Sequence, residues 1–376
     1  MTMVHTHYKV VIAGGGPAGA ALAIHLLQAG IGPVLIAEAE EYTARRAGES
    51  IPSAATPLLA KLGIPVADML THHHPSQGIQ ACWGSDTPAH RTYTTPGWHL
   101  SRPAFDSQLA RAAGKQGATL LQNTRVFGAK SEMGVWQLCL HGEHARICTA
   151  DFVVDATGRK AYLAEAQGAT RRVDHHLLGY YAWLPADTQS PVTLIEAVEN
   201  GWWYMAALPG QKAAVAFMTH PETGRRLEVQ KPEDWYDLLL QTTTIKKHLL
   251  SHSRPEKISV HAAHSQELDK KAGFSDSLNG WLACGDAASA YDPLSGQGIT
   301  KALETSAWAC HAIRDYFSGR YEGLETYNYL LKGTYRNYHT LRRQYYREEG
   351  RWPHADFWQQ VHEYTPSISH LTPLTL

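Results

Sequence analysis

The chain of 376 residues is long enough for two or three subdomains with cores of their own. Hydrophobic residues make up 44% of it and charged residues 18%, the balance of an ordinary globular protein. A formal net charge of -1 provides no field that would attract nucleic acid or anionic lipid, so neither is expected as a partner. No apolar run reaches the roughly 18 residues of a membrane span, and the short polar N-terminus does not resemble a signal peptide. The sequence therefore predicts a cytoplasmic protein that does not enter a membrane.

The cysteines and histidines predict neither disulfides nor a metal site. The five cysteines are an odd number, form no C-x-x-C pair and lie mostly in apolar segments, which predicts reduced core residues. Of the 22 histidines, three are consecutive at residues 72–74. Because consecutive residues cannot easily converge on one ion, this stretch is predicted to be a solvated loop.

Residues 8–38 have the pattern of a strand, a glycine turn, a helix and a second strand. The turn carries the G-x-G-x-x-G spacing at Gly14, Gly16 and Gly19, which is typical of a dinucleotide cradle. The first glycine permits a sharp turn, the second lets backbone approach a pyrophosphate, and the third lets helix and strand pack closely. Glu38 ends the second strand and is predicted to bind a ribose hydroxyl, which favours NAD or FAD over NADP.

A polar loop follows the second strand and contains Arg46 and the run Gly48-Glu49-Ser50. The loop is predicted to lie beside whatever the nucleotide carries, and a short helix is predicted at about residues 54–62. Residues 77–96 alternate apolar and polar side chains, which indicates strands of a second sheet.

The chain then returns to the nucleotide domain through a helix that Ser101 is predicted to cap. Arg102 stands at the entrance of this helix and is either a solvated arginine or a cation held near cofactor phosphate or flavin. Further strands are predicted up to residue 155, where an apolar strand ends in Asp155-Ala-Thr-Gly158.

Residues 177–217 predict two or three strands with an aromatic focus at Trp202, Trp203 and Tyr204. Three adjacent aromatic residues in a strand place side chains on both faces, so at least one looks away from the core of that sheet. The three are therefore candidates for lining a substrate pocket, with core packing as the alternative.

A second motif occupies residues 280–300, where a short apolar strand is followed by Asp286 and then by a proline-containing loop. Gly296, Gln297 and Gly298 open a long helix, whose N-terminal N–H groups can stabilise negative charge on a reduced ring system. The tail from about residue 321 is predicted to be helical and to pack over the substrate domain.

These motifs together resemble the FAD-dependent class A monooxygenases, the group that includes para-hydroxybenzoate hydroxylase and the flavin-dependent tryptophan halogenases. The resemblance rests on GGGPAG, Glu38, Arg102, the Asp155-Ala-Thr-Gly158 turn and GDAASAYDPLSGQG, in chain order. It implies an α/β protein with a Rossmann-like FAD-binding domain of the glutathione-reductase type, an inserted mixed-sheet substrate domain and a helical C-terminal region.

The resemblance also implies where the domains divide and which residues meet FAD. The FAD-binding domain is expected at residues 1–76, 98–172 and 274–320, the substrate domain at 77–97 and 173–273, and the helical region at 321–376. Asp286 is expected at the ribityl or pyrophosphate part of FAD, with backbone at Gly296, Gln297 and Gly298 against the pyrimidine edge. The cofactor residues expected in all are Gly14, Gly16, Gly19, Glu38, Arg46, Arg102, Asp286, Gly296, Gln297 and Gly298.

A narrower resemblance lies in GESIPSAATPLLAKLG, GWHLSRPAFD and DPLSGQGITKAL. These segments look like the flavoproteins that mature tryptophylquinone-dependent amino-acid oxidases and amine dehydrogenases. That likeness implies oxygenation of a tryptophan in a precursor oxidase protein during biogenesis of a tryptophylquinone (CTQ) cofactor.

In the monooxygenase interpretation, FAD reduced by NAD(P)H or by a partner reductase reacts with O2, and a flavin C4a-hydroperoxide hydroxylates an electron-rich aromatic. Pro293 and Ser295 beside the flavin and Glu49 in the facing loop are the catalytic candidates. Glu49 could act as a base for an indole or phenol, or cap the next turn.

Three alternatives stay open from the sequence. Halogenases of this group place an essential lysine in the segment after the Gly-Glu-Ser loop. Residues 72–83 contain no lysine, so a flavin-dependent halogenase is disfavoured, although Lys61 lies nearby. An FAD-dependent reductase or dehydrogenase of the geranylgeranyl reductase type would share nearly every motif. A non-enzymatic assembly factor for a partner oxidase ranks third.

Overall fold

The computed structural model describes residues 6–65, 72–189, 191–250 and 254–363. Two eight-stranded sheets and one three-stranded sheet form the frame of this part of the protein, and helices cover them. The strands are β1 (His7–Ala13), β2 (Val34–Ala37), β3 (Ser50–Ile51), β4 (His74–Cys82), β5 (Ala89–His99), β6 (Thr119–Leu121), β7 (Thr124–Glu132), β8 (Val135–Gly142), β9 (Arg146–Asp155), β10 (Arg171–Asp174), β11 (Leu178–Pro185), β12 (Val192–Val198), β13 (Gly201–Leu208), β14 (Lys212–Thr219), β15 (Ser259–Ala262), β16 (Ser265–Leu268), β17 (Ala272–Phe274), β18 (Gly280–Ala283) and β19 (Ser289–Ala290). The helices are α1 (Pro17–Gln28), α2 (Thr56–Lys61), α3 (Arg102–Lys115), α4 (Tyr162–Ala166), α5 (Pro221–Arg226), α6 (Pro232–Leu240), α7 (Gly298–Phe317), α8 (Glu322–Glu348) and α9 (Asp356–Glu363).

The first sheet has the strand order β17-β18-β9-β1-β2-β6, with β8 and β7 attached beside β9. Its central strands β18, β9, β1, β2 and β6 run parallel. Helices cover such a sheet on its faces, which explains why the strands are apolar runs rather than alternating ones. The predicted Rossmann-like architecture is confirmed, and the strand, glycine turn, helix and second strand predicted within residues 8–38 are present as β1, α1 and β2.

The second sheet has the order β15-β11-β14-β13-β12-β4-β5-β3 and is antiparallel except where β12 runs parallel to β4. One face packs on α6 through Trp235 and Leu239, which are both fully buried. The other face packs against the end of α8 and against α9. This is the predicted mixed-sheet insertion.

The chain crosses between the two large sheets repeatedly. Strands β1, β2, β6 to β9, β17 and β18 belong to the first sheet, whereas β3 to β5 and β11 to β15 belong to the second. β4 begins at His74 and β3 lies earlier still, so second-sheet strands already occur within the segment 1–76 that was assigned to the FAD-binding domain. The numerical domain boundaries stay predictions.

The C-terminal region is helical, as predicted. Phe357 and Trp358 of α9 and Tyr346 of α8 pack with Trp202 of the second sheet in one buried cluster. Residues 364–376, the proline-punctuated end of the predicted tail, lie outside the described residues. Within the described ranges, the helices include none that is long and apolar enough to cross a membrane.

Three local predictions are corrected by the structure. Ser101 precedes α3 but makes no side-chain capping bond, and its carbonyl accepts the Phe105 N–H at 2.9 Å instead. His73 is buried rather than solvated, because its Nδ1 accepts the Ser101 N–H at 3.2 Å. All five cysteines are free thiols, and four are buried, but Cys139 is exposed because it lies on the solvent side of β8.

Candidate functional site

In the glycine turn between β1 and α1, each of the three glycines occupies a position that agrees with the separate role predicted for it. Gly14 has φ +105°, and a Cβ atom there would collide with the carbonyl oxygen of Ala156. A Cβ atom on Gly19 would collide with the carbonyl oxygen of Gly14. For a Cβ atom on Gly16, by contrast, no atom of the described chain other than Gly16 and its two chain neighbours lies within 4 Å. Two glycines are thus required by the protein itself, and the third leaves space where a ligand's pyrophosphate would approach.

Glu38 lies at the end of β2, directly beside this turn. Its side chain is buried, with 5% exposed, and Oε2 accepts the Gly15 N–H at 2.7 Å. Oε1 pairs with Arg46 Nη2 at 2.9 Å. A carboxylate fixed at the glycine turn is placed to receive ribose hydroxyls, which fits the predicted role.

The two predicted cofactor arginines share a partner that the sequence did not single out, Asp106 of α3. Arg102 donates to Asp106 from Nε at 3.1 Å and from Nη2 at 3.0 Å, and Arg46 Nη1 lies 3.5 Å from the same carboxylate. Arg102 also donates to the carbonyl oxygen of Ala47. These contacts tie the loop that carries Glu49 to the FAD-binding domain.

Glu49 is buried, with 2% exposed, between that loop and the second sheet. Oε2 accepts the Gly48 N–H at 3.1 Å, whereas Oε1 has no hydrogen-bond partner among the described residues. Burial raises the pKa of the Glu49 carboxyl to about 7, although the positive charge of Arg102 opposes the shift. Glu49 does not cap the following helix, since neither the turn at Ser53–Ala55 nor α2 has a side-chain cap. The capping alternative is therefore wrong.

Asp286 lies in the short helical turn Gly285–Ala287 that follows β18 and forms an ion pair with Lys301, whose Nζ is 2.8 Å from Oδ1. Burial alone would raise the pKa of Asp286, but Lys301 and Arg159 hold it below its ordinary value. The Asp286 side chain is 37% exposed, so this charged group stays reachable by a ligand.

The turn Pro293–Ser295 and the start of α7 form the other wall of the site. Asp292 Oδ1 accepts the Leu294 N–H at 2.9 Å and so closes the turn. Gly296 has φ +59°, and apart from the two glycines, their chain neighbours and the backbone of α7, no atom of the described chain lies within 4 Å of a Cβ atom there or on Gly298. Ser295 Oγ accepts the Gln297 N–H at 3.3 Å. An open, glycine-bounded N-terminus of a 20-residue helix suits a flat ring that becomes negatively charged.

Of the three adjacent aromatics of β13, Trp202 and Tyr204 lie on one face of the sheet and Trp203 lies on the other. Trp203 packs on the opposite face of the sheet against Trp235, with ring centroids 5.1 Å apart. Trp202 is fully buried against the C-terminal helices. Tyr204 is half-buried, and its hydroxyl lies 2.8 Å from Ser50 Oγ beside Glu49. Trp203 packs in the core on the opposite face of the strand, which corrects its predicted pocket role. Trp202 shares the face of Tyr204 but is fully buried under the C-terminal helices, so its ring is not exposed to a pocket.

Two aromatics that the sequence analysis did not assign stand on the same face as Tyr204. Tyr181 and Trp183 of β11 stack with ring centroids 6.2 Å apart, and the Arg45 guanidinium lies 5.6 Å above the Trp183 ring. Their two-residue spacing in the strand was the available signal. We use "aromatic pocket" as the name of a patch of half-buried side chains from both domains that pack against one buried cluster: Ala47, Trp183, Ile195, Tyr204 and Leu294.

Glu49 lies beside this aromatic pocket. Its negative charge contributes, after burial, to raising the pKa of both Tyr181 and Tyr204. The site therefore joins a nucleotide cradle, an open helix N-terminus and an aromatic pocket with one incompletely bonded carboxylate.

Comparison with known families identifies the nucleotide cofactor that the glycine turn binds. The family model described as "FAD binding domain" matches residues 7–329. The chain belongs to this family of FAD-binding proteins. It is an FAD-dependent oxidoreductase.

The relatives of this flavoprotein include both hydroxylating and halogenating proteins. It is 31% identical over 370 residues to the FAD-dependent oxidoreductase LodB of Marinomonas mediterranea, covering 95% of this chain and 98% of LodB. The flavin-dependent halogenase CmlS has a similar fold, with a TM-score of 0.83 and 21% identity over 95% of this chain and 68% of its own. The peptidyl tryptophan dihydroxylase QhpG, described as essential for tryptophylquinone cofactor biogenesis, superposes with a TM-score of 0.78 and 21% identity over 98% of this chain and 81% of its own.

The residues present fit FAD as the cofactor of the flavoprotein. The open position at Gly16 suits the pyrophosphate, and the Glu38 carboxylate suits the ribose of the adenosine. The partly exposed, ionised Asp286 suits hydroxyl groups of the ribityl chain. In the described ranges, no cluster of His, Cys, Asp and Glu side chains could hold a metal ion.

The buried Glu49 predicts a pH dependence of stability in the FAD-free flavoprotein. Its folded-state pKa is raised from 4.5 to about 7, so the native state holds this proton more tightly than the unfolded chain. The stability that the native state gains from binding this proton is therefore lost as the pH rises from 4.5 to about 7. Relative to the Glu49→Gln variant, the parent is expected to lose about 2 kcal/mol of unfolding free energy between pH 5 and pH 8. Urea denaturation of both proteins at several pH values checks this, and parallel pH profiles would contradict it.

Proposed function

We propose that this flavoprotein is a monooxygenase that hydroxylates an electron-rich aromatic ring, and that its substrate is a tryptophan residue of a precursor protein. The observation that carries the proposal is the free carboxylate oxygen of Glu49, which is buried beside the aromatic pocket. With a pKa raised to about 7 by burial, this group can accept and return a proton near neutral pH. The similarity in fold to a peptidyl tryptophan dihydroxylase supports the substrate class.

When bound and reduced, FAD supplies the activation of O2. We assign the glycine turn and Glu38 to its adenosine diphosphate part, Asp286 to its ribityl chain, and Gly296 to Gly298 to its pyrimidine edge. Arg46 and Arg102 act through Asp106, which holds the Glu49 loop in place. Pro293 and Ser295 form the turn that faces the ring.

The protein's own chemical task is to place the aromatic ring and to move one proton. Trp183 and Tyr204 present flat apolar surfaces to an indole, and Glu49 Oε1 accepts the proton that the ring loses when a C–H bond becomes C–OH. Overall, one oxygen atom of O2 enters the ring and the other leaves as water. Two electrons from NAD(P)H or from a partner reductase balance the reaction.

Halogenation is the second candidate, because halogenases of this fold superpose as well as the dihydroxylase does. The positions of three lysines favour the hydroxylase over the halogenase, whose chemistry requires a free lysine in the site. Lys61 is exposed at the end of α2, beside His25 of α1 in the FAD-binding domain. The two buried lysines of the described chain, Lys271 and Lys301, are ion-paired with Glu267 and Asp286.

The proposal predicts a product that mass spectrometry identifies. The FAD-loaded protein, reduced without oxygen and then mixed with O2 and a tryptophan-containing peptide, is expected to add oxygen to the tryptophan. A matched peptide with phenylalanine in place of tryptophan should stay unmodified. Stopped-flow absorbance should show a transient species before oxidised FAD returns.

Each other outcome points elsewhere. A halogen in the product when chloride or bromide is present would support the halogenase. Direct return of oxidised FAD without a transient, with no peptide modified, would overturn the monooxygenase and favour a reductase or dehydrogenase.

A further inference from the structure

The turn Pro293–Ser295 is held from outside the FAD-binding motifs by a buried polar network on α8. Arg342 is 4% exposed, and its Nε donates to Asp292 Oδ2 at 3.0 Å. The Tyr346 hydroxyl donates to the same oxygen at 2.8 Å. The Arg342 guanidinium also lies 4.6 Å above the Tyr346 ring, so the two α8 residues support each other.

Asp292 transmits these contacts to the turn. Its Oδ1 accepts the Leu294 N–H, and its own backbone N–H donates to the Tyr338 hydroxyl at 2.8 Å. Three residues of α8, spaced so that they share one face of the helix, therefore fix a single residue at the entrance of the turn: Tyr338, Arg342 and Tyr346.

The same network reaches the second sheet. Trp202 Nε1 donates to the Tyr346 hydroxyl at 3.1 Å. The Trp202 ring packs edge-on against Trp83, with centroids 6.3 Å apart, in the cluster that joins the sheet to α8 and α9. A continuous chain of hydrogen bonds thus runs from β13 through Tyr346 and Asp292 to Leu294.

Stability alone is a poor reason for this arrangement. A buried ion pair gives little net stabilisation over well-packed apolar side chains, because both charges must leave water. The directional hydrogen bonds of the Arg342–Asp292 pair do fix geometry, and here they hold the turn that leads into Gly296 and Gly298. The arrangement is therefore better explained by a need to place that turn.

We propose that Arg342 and Tyr346 are positioning residues that set the Pro293–Ser295 turn against the flavin ring, and that Trp202 links this setting to the substrate sheet. The proposal rests on FAD as the cofactor, not on the identity of the aromatic substrate. It can therefore fail while the proposed monooxygenase activity stands, and the reverse also holds.

The test compares two tyrosines of α8. Tyr346→Phe removes the bonds to Asp292 and Trp202 while keeping the ring. Tyr335→Phe is the matched control, because Tyr335 is equally buried and its hydroxyl donates to a different carboxylate, Asp174 Oδ2, at 2.6 Å. Tyr346→Phe is expected to raise the FAD dissociation constant about tenfold, the scale of one lost hydrogen bond to a charged group, and to shift the midpoint potential of bound FAD. Tyr335→Phe should change neither.

A second readout uses the FAD-free protein. Hydrogen exchange at the Leu294 amide is expected to accelerate in Tyr346→Phe and to stay at the parental rate in Tyr335→Phe. Trp202→Phe should give a smaller change of the same kind, and Arg342→Lys should restore part of what Arg342→Gln loses. If both tyrosine variants lose only thermal stability, with FAD affinity, potential and Leu294 exchange unchanged, the network is structural and the proposal is overturned.

Discussion

Replacing Glu49 by glutamine is expected to lower the rate of aromatic hydroxylation by about 10² to 10⁴-fold, the usual contribution of a positioned general base. Glutamine keeps the size of the side chain and can still meet the Gly48 N–H, but it cannot take a proton at Oε1. FAD binding should stay within about threefold of the parent, because Glu49 touches the loop and the pocket rather than the glycine turn. Single-turnover rates with a tryptophan-containing peptide measure the effect.

The control for this variant is Glu41→Gln, which changes an exposed acid of the same connection that contacts Asn123. Its rate should equal that of the parent. In the parent, the rate should rise with pH through a pKa near 7 because burial holds the Glu49 carboxyl protonated below that value, and the rise should vanish in Glu49→Gln. Equal rates in the two variants would remove Glu49 from the chemistry.

Replacing Gly16 by alanine is expected to leave the protein folded but to weaken FAD binding by at least about 100-fold, or about 2.8 kcal/mol. Apart from residue 16 and its two chain neighbours, nothing in the described chain lies within 4 Å of the added methyl group, so the FAD-free fold has room for it. The methyl group would instead occupy the space through which backbone approaches the pyrophosphate. Flavin absorbance per protein and FAD titration of the FAD-free protein measure the loss.

Gly19→Ala separates a ligand effect from a folding effect. Its methyl group would collide with the carbonyl oxygen of Gly14, so it should lower the unfolding free energy by about 3 kcal/mol even without FAD. Gly114→Ala is the control for both variants, because it adds a methyl group in open space within α3. Gly30→Ala is unsuited to this purpose, because the φ of +74° at that position strains alanine. If Gly16→Ala binds FAD like the parent, the open position at the turn is not the pyrophosphate site.

The sequence by itself determined the FAD-binding half of the molecule. The spacing of Gly14, Gly16 and Gly19 acts within one turn, between one strand and one helix, so its consequence is local and readable from residue types. The same is true of Glu38 at the end of β2 and of the glycines that open α7. Family membership and the Rossmann-like fold follow from these segments and are confirmed.

Only the tertiary structure decided how the second half of the site is built. Trp202, Trp203 and Tyr204 are adjacent in sequence, but Trp203 lies on the opposite face of β13, and Trp202, on the same face as Tyr204, is buried under the C-terminal helices. The burial that raises the pKa of Glu49 comes from residues far away in the chain. The hydrogen bond from Arg342 to Asp292 likewise joins residues that are distant in sequence. Local spacing specifies a turn, whereas burial and pairing depend on which distant surfaces the completed fold brings together.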